Sequence, residues 1–348
     1  MSHETICFLG GYGDVGLRLA RRLHVLTGAR IVLAGRDGEK AENAAREIGF
    51  SCEGMALDIR AADAIERLRD MALCVNLTEA SPPALVAALI ANGTHFIDSS
   101  ASPNYVAALR DAIAKVTTPQ AVAVLETGLA PGLINLIAAR LCHDHPDTRR
   151  IDVLIEMGMG VHSGFAAAQW ALQSLGQTYS VKMNAHWHKV RTGTLRRTVD
   201  TDTGRIDAIG FAFSDQQSIA QDHALDGART FLAVAPGWMT GVLRQLSRTA
   251  PSGVVRRHAA ILTGWMLRMP TMGRTGTRLA VEAFDPDGNL LAKKHLNGGP
   301  QADLTAAVIA QAARVLIQSG NERGRRKLSS ILDAYDFITN EDAIYRYT

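Results

Sequence analysis

Three glycines near the amino terminus have the spacing needed to bring a phosphate group against backbone N–H groups. Gly11, Gly13 and Gly16 stand between a short apolar stretch, 6–9, and a helical pattern of apolar residues. In such a strand–turn–helix unit the first glycine permits the turn, the second lets a pyrophosphate approach the backbone, and the third lets the helix pack closely. The alternative is a turn with a purely structural role. We predict that a dinucleotide contacts the whole loop: Gly11, Tyr12, Gly13, Asp14, Val15 and Gly16.

The end of the second predicted strand, 30–34, carries a positive charge where many such sites carry an acid. An Asp or Glu about 20 residues after the glycines binds the ribose 2′-hydroxyl of NAD. Here Gly35 and Arg36 leave room for a 2′-phosphate and supply a planar cation. Asp37 is placed to cap the next helix. We predict cofactor contacts from all three residues and NADP rather than NAD, with a solvated Arg36 as the alternative.

Further positions follow predicted strands at the same edge of the sheet. The strand 52–57 ends at Asp58, which can reach the adenine side of a nucleotide or cap a helix instead. The apolar run 71–77 is typical of a central parallel strand and opens into a loop at Asn76. A glycine- and proline-rich loop, 126–132, lies where nicotinamide and substrate should meet. Because ligands bind outside the carboxyl ends of such strands, we expect cofactor contacts at Asp58, Ile59, Asn76, Leu77 and Gly128.

Polar residues at the end of the fifth predicted strand are the candidates for contact with a substrate. Hydride transfer needs the protein to orient the reactants and to supply a proton. Asp98, Ser99 and Ser100 end the strand 94–100, and we predict that they face the substrate as catalytic residues. Asp98 has the alternative role of capping the next helix or holding a loop. Tyr105 is a second candidate proton donor, with packing as its favoured role.

The overall composition excludes several classes of protein. The chain has 348 residues, a net charge of +3 and widely spread basic residues, so no nucleic-acid partner is predicted. Its four cysteines stand far apart, and His186 and His188 lack a third ligand nearby, so no metal site is predicted. Because the chain begins without a signal-peptide pattern and has no apolar run long enough for a membrane span, a cytoplasmic location is expected.

Six predicted strands alternate with helices over about the first 125 residues, which is typical of a doubly wound α/β domain. In the later chain, strand pairs are predicted at 189–199 and 278–295, and an amphipathic helix at 301–319. Residues 244–268 form a basic, apolar helical segment. A solvated helix face is favoured there over a role in covering the substrate or touching a membrane, so membrane contact is not expected.

Several motifs occur together in the order of a known family. These are GGYGDVG, LAGRD followed by EKAE, VNL before a proline helix, ANGTHFIDSSAS and GLAPGLINLIA. With them the chain resembles the saccharopine dehydrogenase-like oxidoreductases, in particular the NADP-linked saccharopine reductases. The resemblance implies an α/β fold in which a split, doubly wound Rossmann domain, 1–132 and 301–348, is interrupted by an α+β mixed-sheet domain, 133–300. Ala130 and Ile134-Asn135 depart from the family's acidic and polar residues, so saccharopine itself is not expected as the substrate.

The functional hypothesis is an NADP-dependent oxidoreductase that transfers hydride to a C=N bond or to an activated C=C bond of a small substrate. One alternative is a trans-acting enoyl reductase, which the resemblance also allows. Another is a non-catalytic NADP-binding regulatory or scaffold protein. A homodimer formed through the sheet of the second domain is expected.

Overall fold

The chain forms two compact units, each discontinuous in sequence. The first comprises Met1–Leu133 and Thr305–Asp333, and the second comprises Ile134–Leu304 and Ala334–Thr348. The computed structural model describes residues 4–49, 51–160, 165–201, 204–249, 252–266, 268, 271–318, 323–341 and 344–347.

The described residues form strands and helices in the following order. The strands are β1 (Thr5–Leu9), β2 (Arg30–Gly35), β3 (Cys52–Ala56), β4 (Leu73–Asn76), β5 (His95–Asp98), β6 (Val122–Val124), β7 (Arg150–Met159), β8 (Thr178–Met183), β9 (His186–Arg191), β10 (Arg196–Thr201), β11 (Gly204–Gly210), β12 (Gly227–Ala235), β13 (Met272–Phe284), β14 (Leu290–Gly298), β15 (Gly324–Arg326) and β16 (Ile344–Tyr347). The α-helices are α1 (Asp14–Thr27), α2 (Gly38–Ile48), α3 (Ala64–Leu68), α4 (Pro83–Ala91), α5 (Pro103–Ala114), α6 (Ile134–Asp144), α7 (Phe165–Ser174), α8 (Asp215–Asp222), α9 (Trp238–Thr249), α10 (Ser252–Met266), α11 (Gln301–Gln318) and α12 (Ala334–Asn340).

The first unit is built on a seven-stranded parallel sheet of order β15-β6-β5-β4-β1-β2-β3. Strand β4 is buried along its whole length, as its apolar sequence predicts for a strand covered on both faces. The strand order runs outward in opposite directions from β1 and β4, so the carboxyl ends of these two strands flank the crevice in which doubly wound sheets bind ligands. The predicted fold class is confirmed.

Local sequence signals set the ends of the helices around this sheet. The carboxylate of Asp37 accepts a hydrogen bond from the backbone N–H of Lys40 and so caps α2. Pro83 and Pro103 open α4 and α5, where a missing N–H costs nothing. Gly28, with φ of 66°, ends α1 in the left-handed conformation.

Helix α11 differs from the predicted amphipathic helix. Its predicted apolar stripe consists of Leu304, Val308, Ala312 and Val315. The first three are buried and Val315 is half-buried, but Ile309 and Ala313 on other faces are buried as well. Residues 304–310 are all buried, so the first half of the helix is enclosed as a core helix is, whereas Gln311, Arg314 and Gln318 are partly or fully exposed. From Thr305 onward the helix belongs to the first unit, and β15, farther along the chain, pairs with β6 in the sheet of that unit. The predicted last residue, Ser319, lies outside the described residues.

The second unit contains a mixed sheet of order β10-β11-β12-β7-β13-β14-β16, with β8 pairing β12 and β9 pairing β8. Strands β7 and β12 are parallel, whereas β13 and β14 form the predicted antiparallel pair within 278–295. The pair predicted within 189–199 is wrong, because β9 pairs with β8 and β10 pairs with β11. In the described part of the chain no helix combines the length and apolar character needed to cross a bilayer.

The division between the units departs from the predicted boundaries after Asp333. The prediction gave all of 301–348 to the first domain, whereas α12 and β16 belong to the second unit. Strand β16 pairs with β14, which lies far from it in sequence. Such a pairing leaves no local pattern by which the sequence could reveal it.

Candidate functional site

The loop between β1 and α1 makes its turn at Gly10, not at Gly11 as predicted. Gly10 has φ of 80°, and its N–H donates to the carbonyl of Ala34 at 2.8 Å. Gly11 is required for packing instead, because a Cβ there would lie 2.9 Å from Cβ of Phe8 and 3.0 Å from Cα of Leu33. The prediction assigned the turn to the wrong member of the Gly10-Gly11 pair.

Gly16 allows close packing, as predicted, although its neighbour is the loop rather than the strand. A Cβ on Gly16 would stand 2.1 Å from the carbonyl oxygen of Gly11. The first turn of α1 therefore rests directly on the glycine loop. This contact fixes the N–H groups at the helix start next to the loop, which is the arrangement that binds anions at helix amino termini.

Among the three glycines of the motif, Gly13 is the one that the packing of the described residues does not explain. Its φ of −79° is accessible to any residue, and an added Cβ would meet only the carbonyl oxygen of Gly10, at 3.4 Å. The residue is exposed, and no side chain caps the helix that follows it. The absence of a side chain here keeps open the space over the free N–H groups of the first turn, as an approaching phosphate requires. This geometry fits the pyrophosphate of a dinucleotide.

The neighbouring residues of the loop are partly exposed. Asp14, in the first turn of α1, pairs with Arg18 at 2.9 Å, and Val15 follows it, half-buried. Tyr12 lies against the end of β2, because a Cβ on Gly35 would stand 2.3 Å from Cε1 of its ring. The absence of a side chain at Gly35 therefore makes room for the Tyr12 ring.

Arg36 is the unpaired cation at the end of β2. It is exposed and makes no hydrogen bond or ion pair with any residue that the structure describes. Lys40, by contrast, pairs with Asp37 at 3.0 Å. The backbone N–H of Lys40 and its ammonium group both lower the pKa of Asp37. Arg36 is therefore the group left to bind an added anion such as a 2′-phosphate.

The end of β3 carries Asp58 on the surface. Its carboxylate accepts a hydrogen bond from the backbone N–H of Arg60 at 3.0 Å, which makes it the cap of a short turn. Ile59 packs against the core of the first unit. Asp58 thus holds a turn of its own loop, whereas Asp63 is the residue that precedes α3. The exposed side chain of Asp58 remains a predicted cofactor contact.

A buried hydrogen-bond network joins the ends of β4 and β5. Asn76 and Asp98 are opposite each other in register, and the amide of Asn76 donates to the Asp98 carboxylate at 2.6 Å. Ser100 donates to the same carboxylate through its N–H and its hydroxyl, at 3.0 Å each. Asp98 is fully buried, and this burial raises its pKa to about 7. The predicted catalytic Asp98 thus holds the loop after β5 in place, which was its alternative role.

The other two predicted substrate contacts differ in exposure. Ser100 is buried beside Asp98, whereas Ser99 is part-exposed and donates its hydroxyl to the carbonyl of Asn76 at 3.0 Å. Leu77, a predicted cofactor contact just after β4, is also part-exposed. Its N–H donates to the carbonyl of Leu9 at the end of β1, at 3.0 Å. Of the three residues predicted to face the substrate, Ser99 alone presents a side chain at the surface of the first unit as described.

Two members of this network, Thr78 and Ser81, were not predicted. Thr78 and Ser81 both donate hydroxyl protons to Oδ1 of Asn76, at 2.9 Å. Tyr105 receives a hydrogen bond from Asn76 and donates to the carbonyl of Ser81, at 3.0 Å each. Its hydroxyl is therefore committed to the network, in keeping with the predicted packing role. The cluster of polar residues just after an apolar strand, N-L-T-E-x-S, was the available signal.

Glu79 was also missed, and it joins the loops that follow β4 and β5. Its carboxylate accepts from the backbone N–H groups of Ala101 at 2.6 Å and Ser102 at 2.9 Å, at the start of α5. Its φ of 41° is uncommon for a residue with a side chain. The hydrogen bonds explain why this conformation is kept.

Gly128 lies buried in the loop that follows β6. A Cβ there would stand 3.3 Å from Cγ2 of Thr305 on α11, so the loop packs directly on that helix. The N–H of Thr127 donates to the carbonyl of Asp98 at 2.8 Å, and Glu126 pairs with Arg110. The loop is thus tied to the end of β5, which brings Gly128 to the same edge of the sheet as Asn76.

The titration of Asp98 leads to a prediction about stability. In the unfolded chain its pKa is close to 3.9, and the folded value is about 7. Between these two values the folded state keeps a proton that the unfolded state has lost. The stabilisation that protonated Asp98 gives the folded state is therefore present at low pH and lost as pH rises through 7. A rise from pH 5 to pH 8 should lower the free energy of unfolding by on the order of 2 kcal/mol. Denaturant titrations of the wild type and Asp98→Asn should show a steeper pH dependence in the wild type. If the free energy of unfolding changed with pH equally in both proteins, the raised pKa of Asp98 would be contradicted.

The described residues contain no group of three or more His, Cys, Asp or Glu side chains placed to hold a metal. His186 and His188 both lie exposed on β9.

A family model matches the first unit. Residues 6–122 match the model described as the saccharopine dehydrogenase NADP binding domain. The matched stretch contains the glycine loop, Arg36 and the network around Asn76 and Asp98. A search of curated protein sequences finds no match to the chain.

Solved structures resemble the chain along nearly its whole length. Apo saccharopine dehydrogenase (L-Glu forming) from Saccharomyces cerevisiae gives a TM-score of 0.66 at 12% identity, with 99% of each chain covered. An engineered D-amino acid dehydrogenase bound to NADP+ gives 0.45 at 11% identity, with 98% of this chain and 97% of that one covered. DAP dehydrogenase of C. glutamicum in complex with DAP gives 0.42 at 12% identity over the same shares. At these identities, the yeast enzyme shows a shared fold.

Proposed function

Since residues 6–122 belong to the saccharopine dehydrogenase NADP binding domain family, we propose that the protein is an NADP-dependent oxidoreductase. It delivers hydride to a C=N bond, or to an activated C=C bond, of a small substrate. The observation that carries the proposal is the open face of Gly13 at the uncapped start of α1, which no contact with a described residue explains. Arg36, free of partners among the described residues, supports NADP over NAD.

The residues of the first unit have separable roles in this proposal. Bound NADPH supplies the hydride, and the protein supplies orientation and electrostatics. The N–H groups that follow Gly13 hold the pyrophosphate, and the Arg36 guanidinium holds the 2′-phosphate. The buried Asn76–Asp98 pair keeps the loops after β4 and β5 in one arrangement. Ser99, with its part-exposed hydroxyl, is the residue of this edge that is positioned to contact a ligand.

Replacing Arg36 with aspartate should reverse or abolish the preference for NADPH over NADH. Hydrogen bonds to a charged partner contribute about 1.5–3 kcal/mol, so the loss of NADPH affinity should be about 10-fold or more. Calorimetry with both cofactors measures it. Arg46→Asp is the matched control, because it makes the same charge change at an exposed position of α2. Equal affinity of the wild type for the two cofactors would remove the basis for NADP selectivity.

Turnover decides between an enzyme and a non-catalytic NADP-binding protein. NADPH oxidation should be followed by absorbance with cyclic imines, with 2-oxo acids plus ammonia, and with enoyl thioesters. Oxidation with either of the first two supports C=N reduction, and oxidation with the thioesters supports C=C reduction. Tight NADPH binding without turnover of any member of these classes would contradict the proposed reaction and favour the regulatory alternative.

A further inference from the structure

A long stretch of the second unit carries arginines without any acidic residue. Between Asp226 and Glu282 the sequence contains eight arginines and neither aspartate nor glutamate. Helices α9 and α10 lie within this stretch and are separated by two residues. Three of these arginines, Arg229, Arg274 and Arg278, pair with Asp152 or Glu156 outside the stretch. The whole chain has a net charge of only +3, so the other five, which lie on α9 and α10 or just after them, are a local excess of positive charge.

Helix α10 exposes its large apolar side chains. Ile261 and Trp265 are 60% and 66% exposed and lie four residues apart, on one face of the helix. Ala259 and Thr263 are fully buried on another face, and α10 packs against α7. The exposed face also carries Arg257. A surface helix ordinarily turns its polar face to solvent. Helix α10 instead exposes apolar side chains, which is the opposite of the solvated polar face that the sequence favours.

Helix α9 shows the same arrangement. Trp238 is 59% exposed, and Val242, one turn later, is exposed beside it. Thr240 and Ser247 are buried on the opposite side. Two tryptophans on two successive helices are therefore turned outward. Tryptophan is the side chain enriched where an apolar medium meets water, because its ring is apolar and its N–H is a donor.

Three arginines gather on and beside α9, and none of them forms an ion pair with a described residue. The positive charges of Arg196 and Arg248 act on the guanidinium of Arg244, whose pKa is lowered first by burial and then by these neighbours. Nε of Arg244 is buried and has no hydrogen-bond partner in the described structure. Other arginines of this unit are paired, as Arg229 is with Asp152 at 2.5 Å. Anions would stabilise this arginine cluster. The cluster is an observation separate from the exposed apolar faces, and both features fit a partner that is apolar and negatively charged.

We propose that α9 and α10 dock on an anionic phospholipid surface. Exposed tryptophan and aliphatic side chains flanked by arginines are the features of helices that lie in the membrane interface. Juxtaposed basic residues gain attraction from anionic headgroups. A second copy of this chain is disfavoured as the occupant, since a twofold contact would place each arginine-rich face against its equal. A free anion would occupy the arginines but leave Ile261 and Trp265 exposed. The inference is independent of the proposed reaction.

Co-sedimentation of the full chain with vesicles tests the proposal. The wild type should bind mixed phosphatidylcholine–phosphatidylglycerol vesicles, bind phosphatidylcholine vesicles weakly, and lose binding as salt rises. The Ile261→Ser/Trp265→Ser variant should partition about 10-fold less or worse. Arg248→Gln should lower partitioning about fivefold. Leu290→Ser is the control, because it removes an exposed apolar side chain from β14 in the same unit. Trp238→Ser, on α9, gives a second variant with the expected loss, and circular dichroism confirms that each is folded.

Three results would overturn the proposal. The first is absence of wild-type binding to the mixed vesicles. The second is equal binding to vesicles with and without phosphatidylglycerol. The third is binding to polyglutamate that is as tight as binding to vesicles and that the Ile261→Ser/Trp265→Ser variant retains. That result would indicate that α9 and α10 bind an acidic protein.

Discussion

Replacing Gly13 with valine is expected to abolish NADPH binding while leaving the fold intact. In the free protein an added Cβ has room, since its one near contact is the Gly10 carbonyl at 3.4 Å. The cost to stability should be within about 1 kcal/mol, the range for losing a favourable residue at a helix start. With cofactor present, the valine would stand over the N–H groups of the first turn. Losing charge-assisted hydrogen bonds to phosphate should weaken binding about 100-fold or more, as measured by calorimetry.

Two comparisons make this result specific. Gly241→Val adds the same side chain to an exposed glycine of α9 that has open space around it, and it should bind NADPH as the wild type does. Gly16→Val should instead unfold or distort the loop, because its Cβ would overlap the Gly11 carbonyl. A folded Gly13→Val protein with undiminished NADPH affinity would show that the loop is only a turn.

A chain that ends at Gly299 should lose NADPH binding although it keeps every proposed cofactor residue. The first unit takes helix α11 from Thr305 onward and strand β15 from the missing part. Fully burying an aliphatic side chain such as Val308 or Ile309 contributes about 1.5–3 kcal/mol, and a domain's whole stability is about 5–15 kcal/mol. Removing this helix also uncovers the loop that holds Gly128. The expected result is an unfolded or molten first unit that gives no heat on titration with NADPH.

A second truncation separates this effect from a general loss of the carboxyl end. A chain that ends at Asp333 removes only residues assigned to the second unit. It should still bind NADPH, even though β14 loses its partner strand β16. Tight NADPH binding by a folded 1–299 chain would contradict the view that the first unit is completed by the later segment.

The sequence revealed those features that depend on near neighbours in the chain. The cap that Asp37 provides for α2, the proline starts of α4 and α5, and the close packing at Gly16 all follow from residues a few positions apart. The buried strand β4 could be predicted from its apolar run, since only a strand covered on both faces tolerates it. Arg36 was singled out in the same way, from its distance to the glycines.

The remaining features depend on contacts between distant parts of the chain. Burial of the first half of α11, 304–310, on all sides results from what packs around it. The partner of β9 is chosen among several strands of similar pattern. The role of Asp98 follows from Asn76 and Ser100, which surround its carboxylate and remove it from solvent. A strand-end aspartate looks the same in sequence whether it faces a substrate or the interior. Glu79 stands in the polar cluster after β4, but its role could not be predicted, because its partners begin a helix more than twenty residues later.

A crystal structure of the protein soaked with NADPH tests the central claim most directly. We expect density for the pyrophosphate against the backbone N–H groups that follow Gly13, and density for the 2′-phosphate within hydrogen-bonding distance of the Arg36 guanidinium. The nicotinamide ring should lie at the edge formed by Asn76, Ser99 and Gly128. Absence of nucleotide density at this edge under saturating NADPH, or a nucleotide bound elsewhere on the chain, would contradict the account.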